Sequence, residues 1–351
     1  MLKQRIFWHD TVDMPSDKDL PPLPDRVGVA IIGSGFTGLA AARTLAQRGT
    51  RVAVLEAETI GWGASSRNGG MVLTGLKLPM QTVIKKYGRD LAKRLFQCSL
   101  DSIDTVEQIV REEKIDCGFA RTGHLLAANK PKHFDALKDE AEFMAKEFNH
   151  KVHLVPPSEM QSEIGSDAYH GALVDEVSGG LNPAQFVAEL ARAAENAGAT
   201  LHARARVTRI HRPAKSPKGE RRSERSAAET KTAVEGWRGK RFVIETGRGT
   251  LQAESVLVAT SGYTGSVTKS LQRKIIPIGS FIIATEKLPD DLARQLSLKN
   301  RMIFDYKHYL NYFRLWDGRM IFGGRAAFFP ETENTIARSA EILRREMVTI
   351  Y

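Results

Sequence analysis

The N-terminal part of the chain contains two apolar runs separated by a glycine-rich turn and a helical pattern. Residues 27–32 and 52–55 are short apolar runs, which is typical of strands that are buried on both faces of a sheet. Residues 37–47 carry apolar side chains at helical spacing and are followed by Gly49, as is common after a helix end. A strand, a tight turn, a helix and a strand in this order predict the βαβ unit of a parallel sheet.

The remainder of the chain alternates between helical and strand-like patterns. We expect helices at residues 90–113, 132–148, 183–197 and 331–351. We expect strands at residues 200–203, 207–210, 242–245, 255–259, 275–285, 302–305, 310–315 and 320–323. The last four strands are rich in aromatic residues, which suits a sheet that covers a substrate. The pattern predicts a mixed α/β and α+β fold, in which a Rossmann-like domain is combined with a discontinuous antiparallel-sheet domain.

The positive charge of the chain is concentrated in one segment. The 351 residues carry a net charge of +10, and half of this excess lies in residues 211–240. The segment holds nine Lys or Arg and four Glu, includes one aromatic residue, Trp237, and shows no apolar period. We therefore expect a disordered insertion at 212–240, and nucleic-acid binding through it is the weaker alternative.

The ends of the chain and its reactive side chains show no sign of export or of metal binding. Residues 1–26 are charged and proline-rich, which predicts an N-terminal extension without a secretory signal. The apolar stretch at residues 27–46 is interrupted by Gly33, Gly35, Gly38 and Arg43, so we expect no membrane span. Cys98 and Cys117 predict two reduced thiols. His150 and His153 are the nearest pair to metal-ligand spacing, and two ligands make no zinc site. We expect a cytoplasmic protein without a bound metal.

The turn after the first strand has the composition of a nucleotide-binding turn. Residues 33–38 read Gly-Ser-Gly-Phe-Thr-Gly and fit the pattern G-x-G-x-x-G between a strand and a helix. Gly33 permits a tight turn, Gly35 lets the backbone approach a pyrophosphate, and Gly38 lets the helix pack close to the strand. The positive end of the helix dipole then faces the diphosphate. Glu56 ends the second strand, where it can bind ribose hydroxyls and would repel a 2′-phosphate. An adenine dinucleotide, either FAD or NAD, is predicted.

A second glycine-rich segment helps to decide between FAD and NAD. Residues 61–70 read Gly-Trp-Gly-Ala-Ser-Ser-Arg-Asn-Gly-Gly and follow the second strand directly. A backbone with so few bulky side chains can pass close to a long ligand. Donors to phosphate and flavin oxygens are available from Ser65, Ser66, Arg67 and Asn68. NAD-type folds usually enter the sheet without such a loop, so the segment favours FAD, and an NAD-linked dehydrogenase is the weaker alternative.

At these residues the chain resembles the FAD-dependent amino-acid and amine oxidases of the D-amino-acid oxidase superfamily, and most of all the branch of γ-glutamylputrescine oxidoreductases. The similarity continues in family order through residues 29–38, 61–70, 180–183, 256–260, 312–314 and 322–325. The resemblance implies that residues 33–38 and Glu56 bind the ADP half of FAD, and that residues 66–69 lie along the pyrophosphate and the isoalloxazine. It also implies that the backbone of Val207 touches adenine. The complete set expected to bind FAD is Gly33, Gly35, Phe36, Thr37, Gly38, Glu56, Ala57, Ser65, Ser66, Arg67, Asn68, Gly69, Val207, Ala259 and Thr260.

The resemblance also implies a reaction. Hydride passes from an amine-bearing carbon of a small amine or amino acid to flavin N5, the imine is hydrolysed, and oxygen commonly takes the electrons to give peroxide. Such chemistry depends on placing the C–H bond more than on a strong acid or base, so no catalytic residue is assigned. Tyr312, Arg314 and Arg325 either meet a substrate carboxylate or serve as structural residues of the sheet. Neither cysteine falls at a position that the family uses for flavin attachment, so FAD is expected to be non-covalent.

The resemblance finally implies a division into domains. Residues 27–78 and 155–265 are expected to form the FAD-binding domain, and residues 79–154 and 266–351 the substrate domain. Family members return to the nucleotide domain through a further strand, a glycine-rich turn and a helix. Only 26 residues follow Arg325, so the C-terminal part of the FAD-binding domain is expected to be absent. A non-catalytic remnant that binds FAD weakly or not at all is the alternative to an active oxidase.

Overall fold

The structure is a computed structural model, and it describes residues 3–18, 20–212, 242–327 and 332–351. The chain forms two compact units. The small unit comprises residues 14–63 and 190–275, and the large unit comprises residues 1–13, 64–189 and 276–351. Apart from Arg212, the expected insertion at 212–240 lies outside the described residues.

The described residues contain strands and helices in the following order. The strands are β1 (Arg26–Ile32), β2 (Val52–Leu55), β3 (Met71–Val72), β4 (His124–Ala127), β5 (His153–Val155), β6 (Ala172–Asp175), β7 (Gly179–Gly180), β8 (Thr200–His202), β9 (Val207–His211), β10 (Phe242–Thr246), β11 (Gly249–Val258), β12 (Gly279–Ala284), β13 (Met302–Asp305), β14 (Tyr312–Trp316) and β15 (Arg319–Ala327). The helices are α1 (Phe36–Gln47), α2 (Met80–Tyr87), α3 (Arg89–Glu112), α4 (Pro131–Phe148), α5 (Pro183–Asn196), α6 (Lys269–Gln272), α7 (Asp290–Leu296) and α8 (Glu333–Ile350).

The small unit is built on a six-stranded sheet with the strand order β8-β2-β1-β11-β10-β9. The first four strands in this order are parallel, and β10 and β9 each run antiparallel to their neighbour. Ile32 pairs with both Leu55 and Val258, so the carboxyl ends of β2, β1 and β11 lie together. Open parallel sheets bind ligands beyond such carboxyl ends, at the point where the strand order reverses. The turn after β1 stands at this point.

The large unit is built on a seven-stranded sheet with the strand order β12-β15-β14-β13-β4-β6-β5. Neighbouring strands are antiparallel except for β13 and β4, which are parallel. Phe313 and Phe322 stack in its core with ring centroids 5.4 Å apart, and Leu343 and Ile350 of α8 pack into the same core. A second, two-stranded sheet joins β3 to β7.

The predicted fold class is confirmed, because a parallel sheet with a βαβ unit and a largely antiparallel sheet are both present. The strands β3, β4, β5, β6 and β7 and the helices α2, α6 and α7 were not predicted. These strands have only two to four residues each, which is too short to show a two-residue period. They become strands because they pair with one another and with β13.

The limits of the two units differ from the predicted domain limits. Residues 64–78 and 155–189 lie in the large unit, although the sequence assigned them to the FAD-binding domain. Within the expected extension at 1–26, the described residues up to 13 belong to the large unit and those from 14 onward to the small unit, and residues 266–275 lie in the small unit. The physical reason is long-range pairing, since β5 and β6 complete the large sheet. The assignment of cofactor and substrate to these segments stays a prediction.

Candidate functional site

The glycine turn of the small unit is closely packed and opens directly into a helix. Gly33 has a φ of +103°, and a Cβ atom there would lie 2.7 Å from the carbonyl oxygen of Ala259. A Cβ atom on Gly38 would overlap the carbonyl oxygen of Gly33. Gly35 is the N-cap of α1 and has no side chain with which to cap the helix. The first-turn amides of a helix have no carbonyl partner within it, so this turn presents N–H groups at the carboxyl edge of the sheet.

Glu56 faces the glycine turn and binds its second residue. The Oε2 atom of Glu56 accepts hydrogen bonds from the backbone N–H of Ser34 at 2.9 Å and from its hydroxyl at 2.7 Å. The Oε1 atom accepts a bond from the backbone N–H of Glu58 at 3.0 Å. The Ser34 hydroxyl, which is fully buried, in turn accepts the backbone N–H of Gly61 at 2.9 Å. Ser34 therefore connects the glycine turn, the end of β2 and the start of the second glycine-rich segment.

Ser34 was not predicted as a site residue, because it occupies one of the variable positions of G-x-G-x-x-G. A small residue with a hydroxyl next to the turn glycine was the available signal. Of the other residues expected in this unit, Ala259 donates its N–H to the carbonyl of Ile32. The hydroxyl of Thr260 lies 2.7 Å from that of Thr264. The side chain of Val207 is buried in the apolar core of the unit, and its backbone pairs with Thr246 of β10.

The second glycine-rich segment continues into the large unit, and we refer to residues 64–70 as the loop. Asn68 closes the loop on itself, because its Nδ2 donates to the carbonyls of Ala64 and Ser65 at 3.0 and 3.2 Å. Its Oδ1 accepts the backbone N–H of Gly70 at 2.8 Å. A Cβ atom on Gly70 would overlap the carbonyl oxygen of Leu181, so glycine is required where the loop meets the chain after β7. The loop thus has a defined backbone conformation.

The N-terminal segment contacts the loop, which sequence analysis did not anticipate. Trp8 lies in a short 3₁₀ helix, Phe7–Thr11, and its indole N–H donates to the carbonyl of Asn68 at 2.8 Å. The Nε2 atom of His9 lies 2.9 Å from the hydroxyl oxygen of Ser66, which is buried. The adjacent aromatic residues Phe7 and Trp8 in an otherwise polar stretch were the signal that this segment packs against the protein.

The three candidate catalytic residues have different surroundings. Arg314 is 2% exposed, and its Nη1 donates to the carbonyls of Gly70 and Leu181 at 2.7 and 3.1 Å. This geometry favours the structural alternative for Arg314, whose pKa burial lowers to about 10. Tyr312 is half-buried, donates to or accepts from Ser280 Oγ at 3.1 Å, and packs its ring against Gly69. The backbone of Arg325 belongs to β15.

The pair of histidines at residues 150 and 153 does not assemble a metal site. His150 is buried and hydrogen-bonds Asp175 through Nε2 at 2.7 Å, whereas His153 lies 3.9 Å from Glu176. Throughout the part of the chain that the structure describes, no group of three or more His, Cys, Asp or Glu side chains could hold a metal ion. Within the same ranges, no helix is both long enough and apolar enough to cross a membrane.

The residues at the turn after β1 fit an adenine dinucleotide. The Cβ contacts at Gly33 and Gly38 show a turn that only glycine can form, and the uncapped helix start suits a diphosphate. Glu56 is a carboxylate next to this turn, and a carboxylate offers about four acceptor positions. The chain itself occupies three of them, which leaves about one for a ribose hydroxyl.

Comparison with known proteins identifies the family. Residues 28–351 match the family described as FAD dependent oxidoreductase, so the chain belongs to this family. It is therefore an oxidoreductase with FAD as its cofactor, which rules out the NAD-linked alternative.

Individual relatives agree with this assignment. The chain is 30% identical to gamma-glutamylputrescine oxidoreductase of Escherichia coli K12, over 88% of the chain and 67% of that protein. It is 31% identical to the probable oxidoreductase OrdL of Rhizobium meliloti, over 98% of the chain and 74% of that protein. The structure also resembles glycine oxidase from Geobacillus kaustophilus, with a TM-score of 0.65 and 20% identity over 93% of the chain and 78% of the oxidase. The last likeness shows the shared fold.

Proposed function

We propose that the chain is an oxidase that removes hydride from the amine-bearing carbon of a small amine or amino acid. Family membership supports the use of FAD, and the names of the Escherichia coli and Geobacillus kaustophilus relatives support an amine or amino-acid substrate. The observation that carries the proposal is the Glu56 carboxylate bound to Ser34 within the glycine turn. A γ-glutamylated diamine is the first substrate to test, and the cytoplasm is the proposed location.

Residues around the turn after β1 are proposed to contact the ADP half of the cofactor. The amides of residues 33–38 bind the diphosphate, and the free acceptor position of Glu56 binds a ribose hydroxyl. The main chain at Val207 is proposed to border adenine. Ala57 follows Glu56 after the end of β2, and Ala259 and Thr260 follow the end of β11, which pairs with β1. These three residues are assigned to the same half of the cofactor.

Residues 65–69 are proposed to contact the flavin ring. When bound, FAD would supply the hydride acceptor, and oxygen would be the electron acceptor of the proposed oxidase reaction. Among the candidate catalytic residues, Tyr312 has the geometry for a direct role, because its ring packs on Gly69. Burial raises the pKa of Tyr312, against the opposing hydrogen bond to Ser280, so its hydroxyl stays protonated at neutral pH and can act as a donor. Arg314 holds the main chain instead.

FAD is proposed to be bound without a covalent link. Cys117 is buried, and burial raises the pKa of its thiol to about 11, so it is not the thiolate that attachment requires. Cys98 is exposed on α3, and that helix contains none of the residues assigned to the cofactor. Denaturation of the purified protein should therefore release the whole of its flavin into the supernatant.

The test is a spectrum followed by reduction. The purified chain should show the visible absorbance bands of oxidised flavin, and these should bleach under anaerobic conditions with a γ-glutamylated diamine, putrescine or an amino acid. Peroxide formation in air then separates an oxidase from a dehydrogenase that needs another acceptor. A protein that stays colourless after incubation with FAD would contradict the proposal and support the non-catalytic alternative. A protein that binds FAD but is reduced by no amine or amino acid would refute the substrate class.

A further inference from the structure

The N-terminal segment, residues 7–11, lies outside the part of the chain that matches the family and is nevertheless built into the large unit. The family match begins at residue 28. Trp8 is 2% exposed, and its ring meets the ring of Trp316 edge-on with centroids 5.7 Å apart. Such burial of a large aromatic side chain stabilises the segment in one position. The segment is therefore a fixed element of this chain.

The far end of the segment is held by a buried amide. The Nδ2 atom of Asn182 donates to the hydroxyl of Thr11 at 2.7 Å, and Asn182 is fully buried. The Oδ1 atom of Asn182 accepts the backbone N–H groups of Ala184 and Gln185 at 3.1 Å and so caps α5. Gln185 adds a bond from its Nε2 to the carbonyl of Thr11 at 3.3 Å. Thr11 is thus tied to the start of a helix.

The near end of the segment is directed at the loop. The bond from Trp8 reaches the carbonyl of Asn68, and His9 reaches the hydroxyl of Ser66, so two loop residues two positions apart are held. The side chain of Asn68 already closes the loop, and the bond to Trp8 uses its main chain. The partners are 57 and 60 residues apart in sequence, so nothing local supplies these bonds.

We propose that Trp8 and His9 are positioning residues that hold residues 66–68 in the conformation that accepts the flavin. The inference rests on the proposed function, because it assumes that the loop contacts FAD. A loop of glycines and short polar residues has much conformational freedom when it is not held. The hydrogen bonds to Ser66 and Asn68 restrict that freedom before FAD binds. Such preorganisation raises the affinity for FAD without a new contact to the ligand.

The charge state of His9 is compatible with this role. Burial lowers the pKa of His9, the charge of Arg67 lowers it further, and Asp10 opposes both. His9 is accordingly neutral at neutral pH. A neutral imidazole has one donor and one acceptor nitrogen, so its Nε2 atom can either donate to the hydroxyl of Ser66 or accept from it. Gln is the conservative replacement, because its amide also offers a donor and an acceptor.

The experiment compares four full-length variants with the unaltered protein. Trp8→Phe removes the indole N–H and keeps an aromatic ring, His9→Ala removes the imidazole, and His9→Gln restores a hydrogen-bonding group. Asp10→Asn is the matched control, because Asp10 lies in the same segment and pairs with Arg5 at its exposed side. The apoprotein of each is titrated with FAD, and the shape of the visible flavin band is recorded. Loop mobility is followed by hydrogen exchange at residues 64–70.

We expect Trp8→Phe and His9→Ala each to weaken FAD binding about 3- to 10-fold, the scale of one hydrogen bond. Exchange in the loop should be faster in both, and the flavin band should be altered. His9→Gln and Asp10→Asn should behave like the unaltered protein. Unchanged FAD affinity and unchanged exchange in Trp8→Phe and His9→Ala would overturn the positioning role alone. An unaltered protein that binds no FAD would overturn the proposed function together with it, so the two failures are told apart.

Discussion

The bond between Ser34 and Glu56 allows the nucleotide turn to be tested by a double-mutant cycle. Glu56→Ala removes the acceptor for both the N–H and the hydroxyl of Ser34 and for the N–H of Glu58. Hydrogen bonds to a charged group contribute about 1.5–3 kcal/mol each when buried. Since Glu56 is only half-buried and water can replace part of the loss, we expect Glu56→Ala to lower the free energy of unfolding by about 2–3 kcal/mol.

Ser34→Ala should lower the free energy of unfolding less than Glu56→Ala does, and it should act through the same contact between Ser34 and Glu56. It removes the hydroxyl that donates to Glu56 and that accepts from Gly61, and it leaves the backbone bond to Glu56 in place. We expect a loss of about 1–2 kcal/mol for the single change. The double variant should lose about 1 kcal/mol less than the sum of the two single variants, because residues in direct contact are not additive.

Cofactor affinity should follow the same contacts. About one acceptor position of Glu56 is left for ribose, and the turn itself loses a support, so Glu56→Ala should weaken FAD binding by about 10- to 100-fold. Ser34→Ala should weaken it less. Unfolding in urea is followed by tryptophan fluorescence, and FAD binding is followed by titration of the apoprotein.

Glu58→Ala provides the control for these measurements. The side chain of Glu58 forms ion pairs with Arg204 and Arg206 at the surface, and such pairs contribute less than about 1 kcal/mol. Strictly additive losses for Ser34→Ala and Glu56→Ala would show that the contact between them is not energetically coupled. FAD affinity in Glu56→Ala equal to that in Glu58→Ala would remove Glu56 from the cofactor site.

Two further predictions concern the large unit. Arg314→Met should lower the free energy of unfolding by about 2–4 kcal/mol, because the buried guanidinium binds two carbonyls, and urea unfolding checks it. Unchanged stability with a raised KM would instead place Arg314 at the substrate. Burial lowers the pKa of His124 to about 4, while the charge of Asp175 opposes this and those of His150 and Arg301 add to it. The unfolded chain therefore binds this proton first, and stability should fall by about 3 kcal/mol as the pH drops from about 6.5 to 4. His124→Gln should lessen that fall in urea midpoints measured against pH, and an identical pH profile would show that His124 is not responsible.

The sequence was sufficient for those parts of the protein in which neighbours along the chain also meet in space. The glycine turn, the helix after it and the strand that ends at Glu56 follow from a local pattern, because a βαβ unit with a tight turn has one favoured geometry. Gly33 and Gly38 could be assigned their tasks for the same reason, and the structure shows that a Cβ atom at either would collide with the main chain.

The surroundings of Arg314, Trp8 and Ser34 depend instead on partners that are distant in sequence. An arginine in an aromatic strand suits a substrate carboxylate or a structural contact equally well. The tertiary structure favours the structural contact, because it brings the carbonyls of Gly70 and Leu181 to the Arg314 guanidinium. A tryptophan near the N-terminus shows no period that would reveal its contact with Asn68. Long-range pairing also sets the order of the seven strands in the large sheet. Hydrophobic period and turn composition record which face of a segment is buried, but they do not record which other segment buries it.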